Sequence, residues 1–427
     1  MASYKELKEW FVTGFNGSTQ LDIIQVCMFL PAALLLRNIS CKSQNFIYDF
    51  IFTVIPIIGS VTSTEFNLLK LIILALVCII NSHKLTSPFT NTRPAFEIKD
   101  GVKRFQFVTE YRSLMLVATC ISILAVDFPI YPRRFVKTET TGVSLMDIGT
   151  GSVLFSSALV ARSARDPLKP LFQKIKAAMF SCLPLLLIGS LRVIVHKMVD
   201  YQEHVSEYGV HWNFFLSLGV VVVAAPFLDG SPMTRVIFSI VIMIFYQILL
   251  IFGLEDYIFN GPRDNFFSMN REGILGCIGF FCIYQIGLGL KQLILDSKNY
   301  MRNLAYATAF SMIITQILFA FVDPSRRLNN VSYTSWVVSH NLFYLSVVCL
   351  AERCVVNCSP NAIIDAINYN QLPYFMLSNL MTGIVNVSMF TLYTPGCLAY
   401  FIITLYMFTA LSVMWLLLKF HIKLKFW

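Results

Sequence analysis

Charge is scarce in this chain: Asp, Glu, Lys and Arg make up 13% of 427 residues, and hydrophobic residues make up 56%. Soluble domains carry roughly 25% charged residues, so an ordinary soluble globular protein is excluded. No polar stretch is long enough for a separate soluble domain, because the largest connections between apolar runs span only about 20 to 30 residues. Residues 1–20 carry Lys5, Glu6, Lys8 and Glu9 before the first apolar run. They lack the short apolar core and small-residue cleavage site of a signal peptide, so the first run is expected to stay in place. Eleven cysteines show no paired-ligand spacing, and Cys354 and Cys358 are the closest pair; packing filler is the expected role, and no metal is expected. Walker loops, GxSxG elbows, HExxH and dinucleotide fingerprints are also missing. The formal charge is +9, yet no basic face with interleaved aromatics appears, so nucleic acid is not an expected partner.

What the chain has instead is repeated apolar runs. About 30 Å of hydrocarbon requires roughly 20 helical residues at about 1.5 Å each. Runs of that order lie near 21–39, 46–63, 66–82, 113–130, 145–162, 177–197, 211–228, 234–253, 273–291, 302–322, 332–351, 371–390 and 396–418. The expected architecture is all-α: a polytopic integral membrane protein of about 13 transmembrane helices, with 1–427 as one membrane domain. Lys and Arg near span ends are retained in the cytoplasm. A luminal N-terminus places 21 of the 33 positives in cytoplasmic loops, Arg37 and Arg235 among them, and an odd span count puts the C-terminus in the cytoplasm. Of five sequons, Asn16 is the useful one, since this topology puts it in the lumen; Asn38, Asn330, Asn357 and Asn386 mostly lie too close to a span or within one.

Under this topology the polar residues that look selected for type fall in the luminal connections. The first is "AVDFPIYPRRFVKTE", 125–139. Asp127 lies near the end of the fourth run, and intramembrane acids are costly and mostly functional, so it is a candidate base. Pro129 and Pro132 prevent a regular helix from continuing. An unbroken helix would separate Asp127 from Lys137 by about 15 Å; an irregular path, tolerated where it lines a cavity, could bring both into one pocket. Arg133 and Arg134 are suited to grip a lipid phosphate, or alternatively to anchor the chain at the interface.

In "DYQEHVSEYGVHWNFF" (200–215), His204, Glu207 and His211 would share a face if helical; the alternatives are a metal, a solvated interfacial helix, or substrate recognition with Glu203 or Glu207 facing a cationic or hydroxyl-rich group. Asn270, Arg271 and Glu272 begin the ninth run, as a site or as a helix start with an anchor. Gly149 and Gly151 in "DIGTGSVLFSSALVAR" (147–162) give a small-residue face for close helix packing, and Asp147 would cap that helix or reach the cavity of Asp127.

The runs "AVDFPIYPRRFVKTETTGVSLMD" (125–147), "EYGVHWNFF" (207–215), "NREGI" (270–274), "FVTGFNGST" (11–19), "VSYTSW" (331–336) and "NLMTGIVN" (379–386) resemble the GPI-anchor inositol acyltransferases of the endoplasmic reticulum. The resemblance covers nearly the whole chain. It implies about thirteen spans, an endoplasmic reticulum membrane location, and transfer of a fatty acyl group, palmitoyl in type, from acyl-CoA to the inositol 2-hydroxyl of glucosaminyl-phosphatidylinositol. It also points to this Asp and Lys as the catalytic pair. A thioester is already activated, so the enzyme need only deprotonate an alcohol and stabilise an oxyanion. Asp127 is assigned the first task and Lys137 the second. Arg133, Arg134, Asp147, Glu207, His211, Asn213, Asn270 and Arg271 are the expected substrate-binding residues. No cofactor is expected, acyl-CoA being a co-substrate, and membrane lipids are the other partners. The alternative is a lipid or small-molecule transporter using Asp127 and Lys137 as coupling charges, but no second proline-broken segment matches the first, as paired repeats would require.

Overall fold

The computed structural model of the chain describes residues 4–40, 43–63, 65, 67–81, 85, 96–99, 102–161, 170–199, 205–355 and 359–424. It is a polytopic all-α membrane protein. Among the described residues seven helices are long and apolar enough to cross a membrane: Gln20–Ser40, Gln106–Ala125, Leu171–Leu191, Pro232–Asn260, Arg271–Leu295, Val331–Arg353 and Gly396–Lys419. Four shorter apolar helices cover Phe46–Thr62, Asn67–Val77, Leu145–Val160 and Phe214–Leu228. A two-stranded antiparallel hairpin, Phe96–Lys99 with Val102–Phe105, precedes Gln106–Ala125. That helix starts seven residues before its apolar run because the fold buries polar residues of its first turns, Glu110 included.

The chain forms two compact units. The first is built from Lys137–Leu342 with the N-terminal segment through Gly17; the second is built from Ser18–Val136 and residues 343–424.

Lipid tails are as apolar as leucine, so helices in a membrane are held by close packing and buried polar contacts more than by exclusion from water. The first unit shows both. Helix Arg271–Leu290 packs against Pro232–Leu249, Leu145–Val160 and Phe214–Ala224. The small-residue face expected at 149–151 is used for close packing: a Cβ on Gly151 would lie 2.6 Å from Val337 Cγ1. One on Gly279 would lie 2.4 Å from the Asn329 carbonyl oxygen. Met243, Tyr246, Leu250, Ile258, Cys282 and Leu328 form a core, in which the Tyr246 hydroxyl donates to Leu328 O at 2.9 Å.

In the second unit Gln106–Ala125 packs on Ala362–Tyr369 and Gln371–Ser388. Two cations counted from the sequence as loop charges prove internal. Arg37, within Gln20–Ser40 and fully buried, pairs with Asp49 at 2.6 Å. In the first unit Arg235, within Pro232–Leu249, pairs with Asp229 and donates to Gln285 Oε1 at 2.8 Å. Each sits close to a helix end, where the fold supplies an acid, so neither contributes a free charge to a loop.

Candidate active site

The expected break in the fourth apolar run is present in the second unit. Helix Gln106–Ala125 ends before Asp127, residues 126–131 form irregular turns, and Arg133–Phe135 make a single 3-10 turn. The carbonyls of the helix's last turn are taken by backbone amides, Val126 N donating to Ser122 O, Asp127 N to Leu124 O and Phe128 N to Ala125 O, and those of the turn that follows are taken by Arg133. Its Nη1 donates to Val126 O at 3.0 Å, its Nη2 to Phe128 O at 2.9 Å and its Nε to Tyr131 O at 2.9 Å. Arg133 therefore ties the turn together, with three of its N–H donors engaged by backbone. Arg134 is more open: its side chain is 46% exposed, its guanidinium lies 5.0 Å from the Phe135 ring centroid, and Asp22 is 3.9 Å away.

Asp127 is buried, and its Oδ2 accepts from Asn386 Nδ2 at 2.8 Å. Asn386 is the last residue of "NLMTGIVN" and lies on Gln371–Ser388. This asparagine, a sequon residue in the sequence, orients the candidate base.

Lys137 belongs to the first unit, where it ends a chain of alternating charges. Its Nζ lies 2.6 Å from Glu207 Oε1. The same Glu207 oxygen is 3.5 Å from Arg326 Nη1, and Arg326 Nε is 2.9 Å from Asp147 Oδ1. Asp147 Oδ2 accepts from Thr138 N at 3.2 Å, Thr138 Oγ1 at 2.9 Å and Ser144 Oγ at 2.8 Å. Ser144 caps Leu145–Val160 by accepting from Asp147 N, and the Tyr333 hydroxyl donates to Asp147 O at 2.8 Å. Arg326 and Asp147 are almost completely buried, Glu207 is 20% exposed at its side chain, and Lys137 is 36% exposed. Burial alone would depress the Arg326 pKa; Glu207 and Asp147 together outweigh it and hold the guanidinium above its ordinary value. The order of charges thus runs from a sealed Asp–Arg pair to an ammonium at an accessible end.

The loops that present this chain are braced by the other family-like runs. Gly142, in the turn after Lys137, adopts φ +114°, and its N–H donates to Pro324 O at 2.8 Å. Gly209 adopts φ +107°, and any Cβ there would lie 2.5 Å from Asn270 Cα. Both positions need glycine. The short helix Val205–Tyr208 ends at Gly209, so Glu207 and His211 do not share a helical face. Glu203 and His204 lie outside the described residues. Among the described residues no group of His, Cys, Asp and Glu is arranged to hold a metal.

Three expected substrate-binding residues prove to have structural partners. Asn213 caps Phe214–Ala224 and donates to Gly189 O at 2.8 Å. Asn270 accepts from His211 N at 2.7 Å and donates to Phe266 O at 2.8 Å. Arg271 donates to Ile258 O at 2.8 Å and Pro262 O at 2.9 Å. Asn213 takes N–H groups left open at a helix start, and Asn270 and Arg271 tie the start of Arg271–Leu290 to carbonyls of the segment before it. His211 stands beside them with its ring 6.2 Å from Phe266.

The structure therefore assembles Lys137, Asp147 and Glu207 in one unit, and places Asp127, Arg133 and Arg134 in the other. Sequence reading passed over Arg326, Thr138, Ser144, Tyr333 and Asn386 as site residues. Four of these stand in quoted runs: Thr138 and Ser144 in the run that holds Lys137, Tyr333 in "VSYTSW" and Asn386 in "NLMTGIVN". Arg326 gave no local signal.

A family model described as GWT1 matches residues 4–417. The chain is 34% identical to a Dictyostelium discoideum "Phosphatidylinositol-glycan biosynthesis class W protein", the match covering 99% of each chain. It is also 34% identical to "GPI-anchored wall transfer protein 1" of Candida albicans, over 99% of this chain and 98% of the relative. The Saccharomyces cerevisiae protein of the same name is 34% identical over 92% and 93%. The chain belongs to the GWT1 family, the GPI inositol acyltransferases that its motifs resemble.

Proposed function

We propose that the protein transfers a fatty acyl group from acyl-CoA to the inositol 2-hydroxyl of glucosaminyl-phosphatidylinositol in the endoplasmic reticulum membrane. Asp127 accepts the hydroxyl proton as the inositol oxygen attacks the thioester carbonyl. Lys137 stabilises the oxyanion of the tetrahedral intermediate. Collapse of that intermediate breaks the C–S bond, leaves the acyl ester on inositol and releases the CoA thiolate, which takes the proton from Asp127. No acyl-enzyme and no resident cofactor enter this sequence.

The observation that carries the reading is the position of the Lys137 ammonium. It is fixed 2.6 Å from Glu207 and backed by the buried Arg326–Asp147 pair, yet a third of its side chain is accessible. A lysine kept only as an interfacial anchor would not need a carboxylate that is itself held by a buried arginine. Glu207 and His211 contact the sugar or line the cavity in this reading, and Arg134, whose side chain is 46% exposed, contacts phosphate. The N-terminus faces the lumen and the C-terminus the cytoplasm.

The test is a microsomal assay with labelled acyl-CoA and glucosaminyl-phosphatidylinositol, comparing wild type with Asp127→Asn and Lys137→Ala. Loss of a charge-stabilising donor costs about 100- to 1,000-fold in rate. Both variants should accumulate and form almost no acylated lipid; full activity in either one removes its residue from the mechanism.

A further inference from the structure

Beside the charge chain, the first unit contains a second cluster whose charges do not balance. Glu272, fully buried at the first turn of Arg271–Leu290, is shared by two arginines. Arg263 reaches both of its oxygens, with Nη2 at 2.5 Å from Oε1 and Nη1 at 3.2 Å from Oε2. Arg327 Nη2 donates to the same Oε1 at 3.0 Å. Arg271, the residue before Glu272, interacts electrostatically with all three. Two guanidinium groups thus share one carboxylate, and a third belongs to the residue before it. Among the described residues no other acid of the two flanking connections, Glu255, Asp256, Asp264 or Asp323, is ion-paired with any of them. A low-dielectric site does not hold such an excess of like charge cheaply.

The three arginines are not equivalent. Arg271 is closed off by the carbonyls of Ile258 and Pro262. Arg327 lies 4.9 Å over the Phe259 ring, and its Nε is buried without a hydrogen-bond partner. Arg263 is the accessible member, with 28% of its side chain exposed. All stand at helix ends and in connections, and Phe266 and Phe267, in the connection between Arg263 and Arg271, are 62% and 46% exposed. Exposed aromatics beside cations at the ends of membrane helices mark the headgroup level.

We propose that Arg263 and Arg327 bind the phosphodiester of an inositol phospholipid, the excess positive charge of the cluster being neutralised by that anion. Arginine suits the task, because its planar fork can bond Glu272 and a phosphate oxygen at once. The assignment rests on the proposed lipid substrate and adds to it the residues that hold its phosphate, which leaves Arg134 to a phosphate of CoA.

The test is equilibrium binding of fluorescent phosphatidylinositol to the purified full-length protein in phosphatidylcholine nanodiscs, with no acyl donor present. A failure of the transferase reading therefore leaves this readout intact. Arg263→Gln and Arg327→Gln should each weaken binding about tenfold, the size of one lost charge-assisted hydrogen bond, and Arg263→Lys should lose less. Fluorescent phosphatidylcholine serves as the control for general lipid uptake. Should a variant melt early, the wild type carries the test: phosphatidylinositol should shield Arg263 from phenylglyoxal, read by mass spectrometry. Unchanged affinity in both variants, or no shielding, overturns the proposal. So does a loss confined to added CoA or inorganic phosphate, which would assign the cluster to a soluble anion.

Discussion

Each unit of the chain buries an arginine against an aspartate, and the two pairs end differently. Arg37 and Asp49, both fully buried, are closed on every side: Arg37 donates also to Ser359 O at 2.5 Å and Pro360 O at 2.7 Å, and Asp49 accepts from Ala362 N at 2.7 Å. All of those partners are backbone. Arg326 and Asp147 begin in the same way, with Thr138, Ser144 and Tyr333 around the acid. Their chain then continues through Glu207 to a partly exposed ammonium. A sealed pair fastens helices, whereas an open-ended one transmits its order to a group that can meet a substrate. Burial of an ion pair is therefore no guide to function by itself; the place where its chain of partners ends is the guide.

The largest effect should come from opening the sealed pair. Arg37→Leu leaves Asp49 as an uncompensated buried charge, which costs about 3–5 kcal/mol. The variant should accumulate poorly, and the double change Arg37→Leu with Asp49→Leu should recover much of the loss. Quantitative immunoblotting of membrane fractions and thermal melts would check this. Equal accumulation of Arg37→Leu and wild type would break the comparison.

An intermediate effect is expected in the open chain, and in a different quantity. Glu207→Gln keeps a hydrogen-bond acceptor beside Lys137 and removes the charge. Its side chain is part-exposed, so stability should change by less than about 1 kcal/mol. Acyl transfer should fall about 10- to 100-fold, the worth of one charge-assisted bond of about 1.5–3 kcal/mol. Arg326→Lys should lie between wild type and Glu207→Gln, because a single ammonium cannot span Asp147 and Glu207 as a guanidinium does. Measuring kcat alongside melting temperature separates the two quantities; a large drop in melting temperature for Glu207→Gln would make the open chain as structural as the closed one.

The smallest effect concerns pH in the closed region. Asp365, on the short helix Ala362–Tyr369, has its pKa raised to about 6 by burial, with the charge of Asp49 adding to it and Arg37 opposing it. A folded-state value above the unfolded one favours the protonated form. The contribution to stability is therefore complete below the ordinary carboxylate range and is lost as pH rises through about 6. Melting temperature in detergent should fall from pH 5 to pH 7 by more in wild type than in Asp365→Asn. Identical slopes would remove Asp365 from the account.

Much of this organisation is legible from composition and period alone. Apolar runs identify helices whatever they pack against, and Pro129 and Pro132 end a helix through their own chemistry, without reference to the rest of the fold. Gly151 also announces close packing by its size. Lys137, Glu207 and Asp147 could each be singled out as charges in unusual settings, but not joined. What joins them is Arg326, 179 residues after Asp147, and no local pattern distinguishes it from its neighbour Arg327 or from an interfacial anchor. Arg133 shows the converse: its residue type suits phosphate, yet the turn created by the adjacent prolines exposes carbonyls that take its donors first. Arg37 and Arg235 read as loop charges in the sequence because their partners, Asp49 and Asp229, become partners only once the chain is folded.

The central claim is that Glu207 matters because it holds Lys137. The most direct measurement is a double-mutant cycle on acyl transfer by the purified protein, using Glu207→Gln, Lys137→Ala and the pair together. If Glu207 acts through Lys137, the glutamate substitution should cost 10- to 100-fold in wild type and almost nothing once Lys137 is alanine. If the two losses multiply instead, Glu207 acts independently and the open chain does not end at the lysine.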